Sequence, residues 1–381
     1  MSIRIVGAGA AGISVLDEWI LFSDHPEGSL ACDGEASSVE GSLASEKLLL
    51  APDLVGGLGC FGSRDLAWRM VGRENQRLDG LLRDCAGLLI VTGLAGGMGA
   101  TVAEALSLKA GEREIPTTIF ALLPFPFEAE ERREAAEAAR EGFSAQASVF
   151  LFSTAGLLPE ESAPGVAGVR SRLREFHGTI ARWVDVWSGM ADGVVLPVGR
   201  GSEAEVSPFA VAGEMEDCHV FGETGSCLDL SSLPFWESRE FGQAAEKADH
   251  CLGYIEASEE VSGWASELEK LLQEHLPKRA RNSFYRRKQA RPMQNRLLLL
   301  LGRAHSRLPK SKLPEPVREE QIQTRTEVPV HSPLPAAPER ELAHSSAESI
   351  PFAKTTATVH KGENLDIPAY RRRSGSRGER K

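Results

Sequence analysis

The chain has 381 residues, 42% of them hydrophobic and 25% charged, which is enough to build a sizeable core and too polar for a membrane-embedded fold. The net charge of -11 is unevenly placed: residues 278–312 carry 12 Lys/Arg and no Asp/Glu, residues 364–381 carry a net +4, and residues 1–277 carry -24. So acidic a body repels nucleic acid, no specific nucleic-acid partner is expected, and any polyanion contact falls to the two basic segments. No apolar run approaches the roughly 18 residues that span a bilayer. The opening Met1-Ser2-Ile3-Arg4-Ile5-Val6-Gly7 reads as a strand and not as a leader. Six cysteines without a C-x-x-C pair read as a reduced, cytosolic protein with no structural zinc.

Residues 1–160 alternate strand and helix patterns. Ile3–Val6 predicts a first strand, followed by a helix over 12–22 and another over 64–86. Gly87–Thr92 predicts a buried strand, and a glycine run and a helix from Thr101 follow. Thr117–Leu123 predicts a strand, Glu128–Glu141 a charged helix and Ala147–Phe152 a further strand. This alternation predicts an α/β fold with a parallel sheet covered on both faces. A helix follows over 166–188, residues 189–240 carry weak signals, and 241–275 read as helical. Residues 309–363, rich in Pro, Ser, Thr and Glu, predict a disordered linker. Beyond it, Leu365-Asp366-Ile367-Pro368-Ala369-Tyr370 forms a short apolar island, which reads as a docking peptide on a tether. The basic segment 278–312 is open between a helix packed on the acidic body, a surface anchor and a polyanion contact.

Two glycine loops carry the chemistry. Gly7-Ala8-Gly9-Ala10-Ala11-Gly12 lies between a strand and a helix, where bare backbone lets phosphate oxygens approach N–H groups at a helix N-terminus. Alone it fits a dinucleotide site, with Asp33 or Glu35 as the ribose acid, or a tight turn without a ligand. Gly93-Leu94-Ala95-Gly96-Gly97-Met98-Gly99-Ala100-Thr101 predicts a second nest of amides before a second helix. A dinucleotide fold needs no second phosphate loop at this strand, whereas a mononucleotide triphosphate held between two loops does. Pro124-Phe125-Pro126-Phe127-Glu128, with Arg132, follows at a strand's carboxyl end, where Glu128 is placed for ribose hydroxyls and Arg132 for base or sugar.

Taken in order, these motifs resemble the tubulin/FtsZ family. Ile5–Ser14 is similar to the family's first glycine loop, with Ser14 where Asn is usual, and Asp33-Gly34-Glu35-Ala36 resembles its N-T-D-A stretch. Gly57-Leu58-Gly59-Cys60-Phe61-Gly62-Ser63 resembles G-L-G-A-G-G-N, and Ala95–Thr101 resembles G-G-G-T-G-T-G. Pro124–Arg132 resembles P-F-x-F-E-G-x-x-R, and Leu365–Tyr370 is similar to the family's terminal peptide.

The resemblance implies a Rossmann-like GTP-binding domain over 1–165 and a central helix at 166–188. A reduced second domain over 189–305, a linker over 306–363 and a partner-binding peptide with a basic tail over 364–381 complete it. It implies GTP or GDP at Gly7, Gly9, Ala10, Ala11, Gly12, Ser14, Gly96, Gly97, Met98, Gly99, Ala100, Thr101, Glu128 and Arg132, with Mg2+ as a companion. It also implies self-assembly into head-to-tail filaments at the bacterial division site in the cytoplasm. Division or membrane-tether proteins would bind Leu365, Asp366, Ile367, Pro368 and Tyr370, with weak anionic-membrane contact from Arg371–Lys381. The departures concern turnover. Met98 and Ala100 replace hydroxyl residues, and Ile180 and Ala181 stand where the family reads guanine with Asn-Asp. The catalytic acid loop is not recognisable in 188–208, where Glu203 and Glu205 are the candidate acids. GTP binding with weak or absent hydrolysis is therefore expected.

Overall fold

Strand β1 (Ser2–Ala8) begins a computed structural model in which residues 2–154, 166–198, 214–226, 228–257, 261–287, 295–305, 359–360 and 363–364 are described. Helix α1 (Gly9–Ile20) leads to β2 (Ser29–Asp33), α2 (Ala36–Glu40), β3 (Glu46–Leu49) and α3 (Pro52–Val55). Then come α4 (Arg64–Arg73), α5 (Asn75–Leu81), β4 (Cys85–Gly93), α6 (Gly97–Glu112), β5 (Thr117–Leu122), α7 (Glu130–Gly142) and β6 (Ser148–Phe152). The long helix α8 (Val166–Ala191) precedes β7 (Val195–Val198), β8 (Glu214–Gly225), α9 (Arg239–Lys247), β9 (His250–Glu256), α10 (Val261–His275), β10 (Arg281–Arg287) and β11 (Asn295–His305).

Among the described residues these eleven strands form one sheet in the order β3-β2-β1-β4-β5-β6-β8-β11-β9-β10-β7. Neighbours from β3 through β8 are parallel, as the strand–helix alternation predicts. Every residue of β5 and β6 is buried, the pattern of strands covered on both faces. One face carries α1 and α8, with Trp19, Phe120, Phe150, Phe152, Trp183 and Trp187 in its core. The other carries α4, α6 and α7 over Val6, Leu30, Leu88 and Ile90. The chain steps outward from β1 to β2 and β3, then returns to β4 on the other side of β1. That reversal falls at the carboxyl ends of β1 and β4, the place where open α/β sheets hold ligands.

Three sequence expectations change. The helix over 64–86 is two helices, broken at Glu74, whose φ of -97° and ψ of 12° leave the helical region and whose carboxylate accepts from the Ala51 amide. The helical span 241–275 contains β9, because Cys251–Glu256 is buried against β11. Among the described residues of the basic segment, the regular elements are strands β10 and β11 in place of a helix. In β11, Leu297, Leu299 and Leu301 face α9 and α10, while Leu298 and Leu300 face α8, so a continuous leucine run serves two cores.

The chain divides into one unit over Met1–Leu313 and another over Pro314–Lys381, and in the latter β12 (Val359–His360) pairs antiparallel with β13 (Glu363–Asn364).

Candidate functional site

The site is built where β1 and β4 run directly into helices. Ala8 precedes α1 and Gly96 precedes α6, and neither helix has a side-chain cap. Helices α2, α3, α5 and α7 likewise lack a side-chain cap, whereas the Ser63 hydroxyl accepts the Leu66 amide at 3.3 Å before α4 and Ser238 accepts the Phe241 amide at 3.1 Å before α9. An uncapped N-terminus leaves its first N–H groups free for an anion and adds the helix dipole. Two such termini meet here. Gly9 has φ of +70°, and a Cβ on it would lie 2.8 Å from the Cα of Gly99. A Cβ on Gly99 would lie 2.5 Å from the Ala8 carbonyl oxygen. The two glycine turns are in van der Waals contact, brought together by the parallel pairing of Ala8 with Thr92.

A third turn closes the same corner. A Cβ on Gly97 would stand 3.0 Å from Cys60 Sγ and from the backbone of Gly62. Cys60 and Gly62 are site residues absent from the sequence assignment, although the Gly57–Ser63 motif marked their loop. Burial pushes the Cys60 thiol above its ordinary pKa and Asp33 adds to this, against the Gly62 and Met98 amides that face the sulfur.

The predicted side chains behave differently from the predicted backbone. Met98 is 4% exposed and packs with Met70 against Gly34, so it fills the core instead of facing a ligand. Ala100 is buried, and the buried Thr101 hydroxyl donates to the Gly97 carbonyl at 2.7 Å. Ser14 is exposed and donates to the Ala10 carbonyl at 2.9 Å. The second loop therefore offers amides and not hydroxyls. Thr101→Val should cost about 1 kcal/mol of stability in urea unfolding and change nucleotide affinity by less than about threefold. A larger loss of affinity would show that the hydroxyl reaches the ligand.

Gly12 sits beneath the first turn, and a Cβ on it would lie 2.1 Å from the Val91 carbonyl, so its role is close packing of α1 on β4. Gly7 is also crowded, since a Cβ on it would lie 2.9 Å from the Gly12 carbonyl oxygen. Ala10 is exposed, Ala11 half-buried and Gly96 open. Glu128 accepts from the Phe125 amide at 2.9 Å and pairs with Arg132 at 2.7 Å, so the two side chains hold each other. Ile180 and Ala181 are fully buried. Glu203 and Glu205, and the terminal Leu365, Asp366, Ile367, Pro368 and Tyr370, lie outside the described residues. Among the described residues no group of three or more His, Cys, Asp or Glu side chains is arranged to hold a metal.

Asp33, at the end of β2, is 4% exposed and accepts the Gly34 amide at 2.7 Å. Burial raises its pKa against that bond, and burial likewise raises Glu104 against Arg64. A carboxyl with a raised folded pKa holds its proton longer folded than unfolded. Its contribution is complete below the ordinary value and is lost as pH rises through the folded value. Asp33→Asn should therefore flatten the fall in stability that sets in as pH rises above the ordinary carboxylate range, read from urea midpoints. An unchanged slope would count against this assignment.

Residues 2–154 match the family described as Tubulin/FtsZ family, GTPase domain. The chain is 26% identical over 195 residues to the cell division protein FtsZ of Pseudomonas aeruginosa, covering 50% of this chain and 47% of that one. It is 29% identical over 154 residues to FtsZ of Methanothermobacter thermautotrophicus, covering 39% of each, and matches FtsZ of Helicobacter pylori over 35% of each chain. The aligned part thus spans about a third to a half of these relatives' length. By fold, the chain is similar to an empty FtsZ dimer of M. jannaschii, with TM-score 0.60 and 16% identity over 79% of this chain and 88% of that one. It is also similar to a GTPgS-bound CetZ2 protofilament of Haloferax volcanii, with TM-score 0.57 and 16% identity over 81% and 95%. The motif order, the match of residues 2–154 to the Tubulin/FtsZ-family GTPase domain and the shared fold support a divergent FtsZ-like protein.

Proposed function

We propose that the chain is a guanine-nucleotide-binding cytoskeletal protein of bacterial cell division that assembles head-to-tail in the cytoplasm at the division site, with weak or absent GTP hydrolysis. The contact between the two uncapped helix N-termini at Gly9 and Gly99 carries this reading, because it forms one amide-lined corner for a string of phosphates. Mg2+ would be held by the phosphates and water. Two structural relatives support assembly: one is a dimer of FtsZ and the other a protofilament of CetZ2. The terminal peptide Leu365–Tyr370 would engage division or membrane-tether proteins, and its basic tail would add weak attraction to anionic lipid.

Slow turnover follows from the sequence departures. Positioned acids contribute roughly 100- to 10,000-fold to such reactions, and the stretch 188–208 lacks the family's acid pattern. The expected result is pelleting of the full chain with GTP, more than with GDP, and phosphate release far below the pelleting rate. Equal pelleting with GTP, GDP and no nucleotide would reject the proposal.

A second reading is a non-enzymatic FtsZ-like modulator acting through its terminal peptide. Met98 in the core and the committed Thr101 hydroxyl favour it. It expects no heat of GTP binding but retained capture by peptide partners. The matched family leaves the dinucleotide reading of Gly7–Gly12 without support.

A further inference from the structure

Helix α8 carries one face that the core does not use. Ser171, Arg174, Glu175, Gly178, Thr179 and Arg182 recur at helical spacing and form a single stripe about 16 Å long. Together with Glu18 of α1 and Gly222 of β8 they line a cavity of about 400 Å³, within the range of small-molecule sites. None of the lining residues belongs to the two glycine turns.

Two features of this cavity weaken the fold. Gly178 lies in the interior of α8, where only proline is less favourable than glycine. A Cβ on it would meet nothing within 4 Å, so close packing does not call for a glycine there, and a larger side chain would fill the cavity. Arg182, one turn further on, is half-buried and makes no hydrogen bond or ion pair among the described residues. Burial holds its guanidinium below the ordinary pKa, and the charge of Arg296 adds to this, against the attraction of Glu223 and Glu175. The neighbouring Arg174 is already engaged, since its Nε donates to Glu18 Oε1 at 2.9 Å. Arg182 is the cation left over, with a planar fork of N–H donors that matches an oxyanion.

We infer that the cavity between α1, α8 and β8 binds a small oxyanion, a phosphate or a carboxylate, held by the Arg182 guanidinium with room kept open by Gly178. The bound charge offsets the burial of Arg182 and its repulsion from Arg296. Gly222 adds bare backbone on the β8 side, where a Cβ would lie 2.9 Å from the Leu297 carbonyl oxygen. The site is independent of the nucleotide reading.

The test is urea unfolding of the full chain, without nucleotide, in sodium phosphate or sodium succinate against sodium chloride of equal ionic strength. About 20 mM of the preferred anion should raise the midpoint by at least about 0.3 M, and the anion with the larger effect names the class. Arg182→Met keeps the apolar stem and removes the charge. It should lose at least half of that shift, while its midpoint in chloride stays level or rises. Gly178→Leu fills the cavity and leaves the charge in place. It should also lose at least half of the shift, and leucine's higher helix propensity keeps the fold. Gly99→Ala, which disturbs the glycine corner, should retain most of the shift. No shift with either anion in the wild-type chain, or a shift that survives in Arg182→Met or Gly178→Leu, would overturn the inference. So would loss of most of the shift in Gly99→Ala, which would assign the anion to the glycine corner. A midpoint of Arg182→Met far below wild type in chloride would show a guanidinium already paired, and would overturn it too.

Discussion

Gly99→Ala is expected to lower nucleotide affinity by at least about 100-fold, while Gly96→Ala, three residues earlier, changes it by less than about fivefold. The contrast comes from what each new methyl group meets. At Gly99 it would stand 2.5 Å from the Ala8 carbonyl oxygen, 2.9 Å from Thr92 Oγ1 and 3.1 Å from the Ala8 carbonyl carbon. Two of these atoms are backbone of β1 and cannot rotate away. Relief requires the start of α6 to move off the start of α1, and overpacking of this kind costs about 1–3 kcal/mol. A shift near 1 Å also pulls the amides from the positions they must share around phosphates. At Gly96 nothing lies within 4 Å, and the φ of -95° and ψ of 140° suit alanine. Paired titrations with GTP check the prediction, and similar affinities for the two variants would show that the turns do not act together.

Arg287→Ala is expected to destabilise the protein by about 3 kcal/mol in urea unfolding, against less than about 0.5 kcal/mol for Arg286→Ala. Both residues belong to the basic segment whose purpose is not legible in the sequence. Arg287 is 12% exposed and reaches Asp185 on α8 and Asp24 beyond α1, each at 3.4 Å. Removing it leaves the Asp185 carboxylate, 8% exposed, with one cation fewer in a poorly solvated place. Arg286, on the other side of the strand, is exposed. The partners of Arg287, Arg296 and Arg303 are Asp24, Asp185, Glu256, Glu216 and Asp217, so these basic side chains neutralise the acidic body from within the sheet. Equal stability of the two variants would return the segment to the role of a free cationic surface.

What was legible in the sequence is what backbone geometry demands of residue type. The glycines at 9, 97 and 99 announce a close approach of main chains, and the structure shows that approach. The parallel sheet was legible because its strands are continuous apolar runs separated by helical periods. Strand β9 was not, because the seven residues His250–Glu256 lie between two amphipathic helices and carry no period-2 pattern. Leu297–Leu301 was visible as an apolar run but not as a strand, since full burial on both sides removes the alternation that marks one. The directions of the Met98 and Thr101 side chains depend on which face of α6 meets Gly34 and Met70, which no local pattern encodes. The Arg64–Glu104 pair joins residues 40 positions apart and left no mark on either neighbourhood.

The most direct test of the account is a calorimetric titration of the nucleotide-stripped full chain with GTP, run beside Gly99→Ala. Saturable binding at one site per chain, and its loss in the variant, are expected. Absence of binding to the wild-type chain, or equal binding by Gly99→Ala, would contradict the claim that the two helix N-termini jointly hold the phosphates.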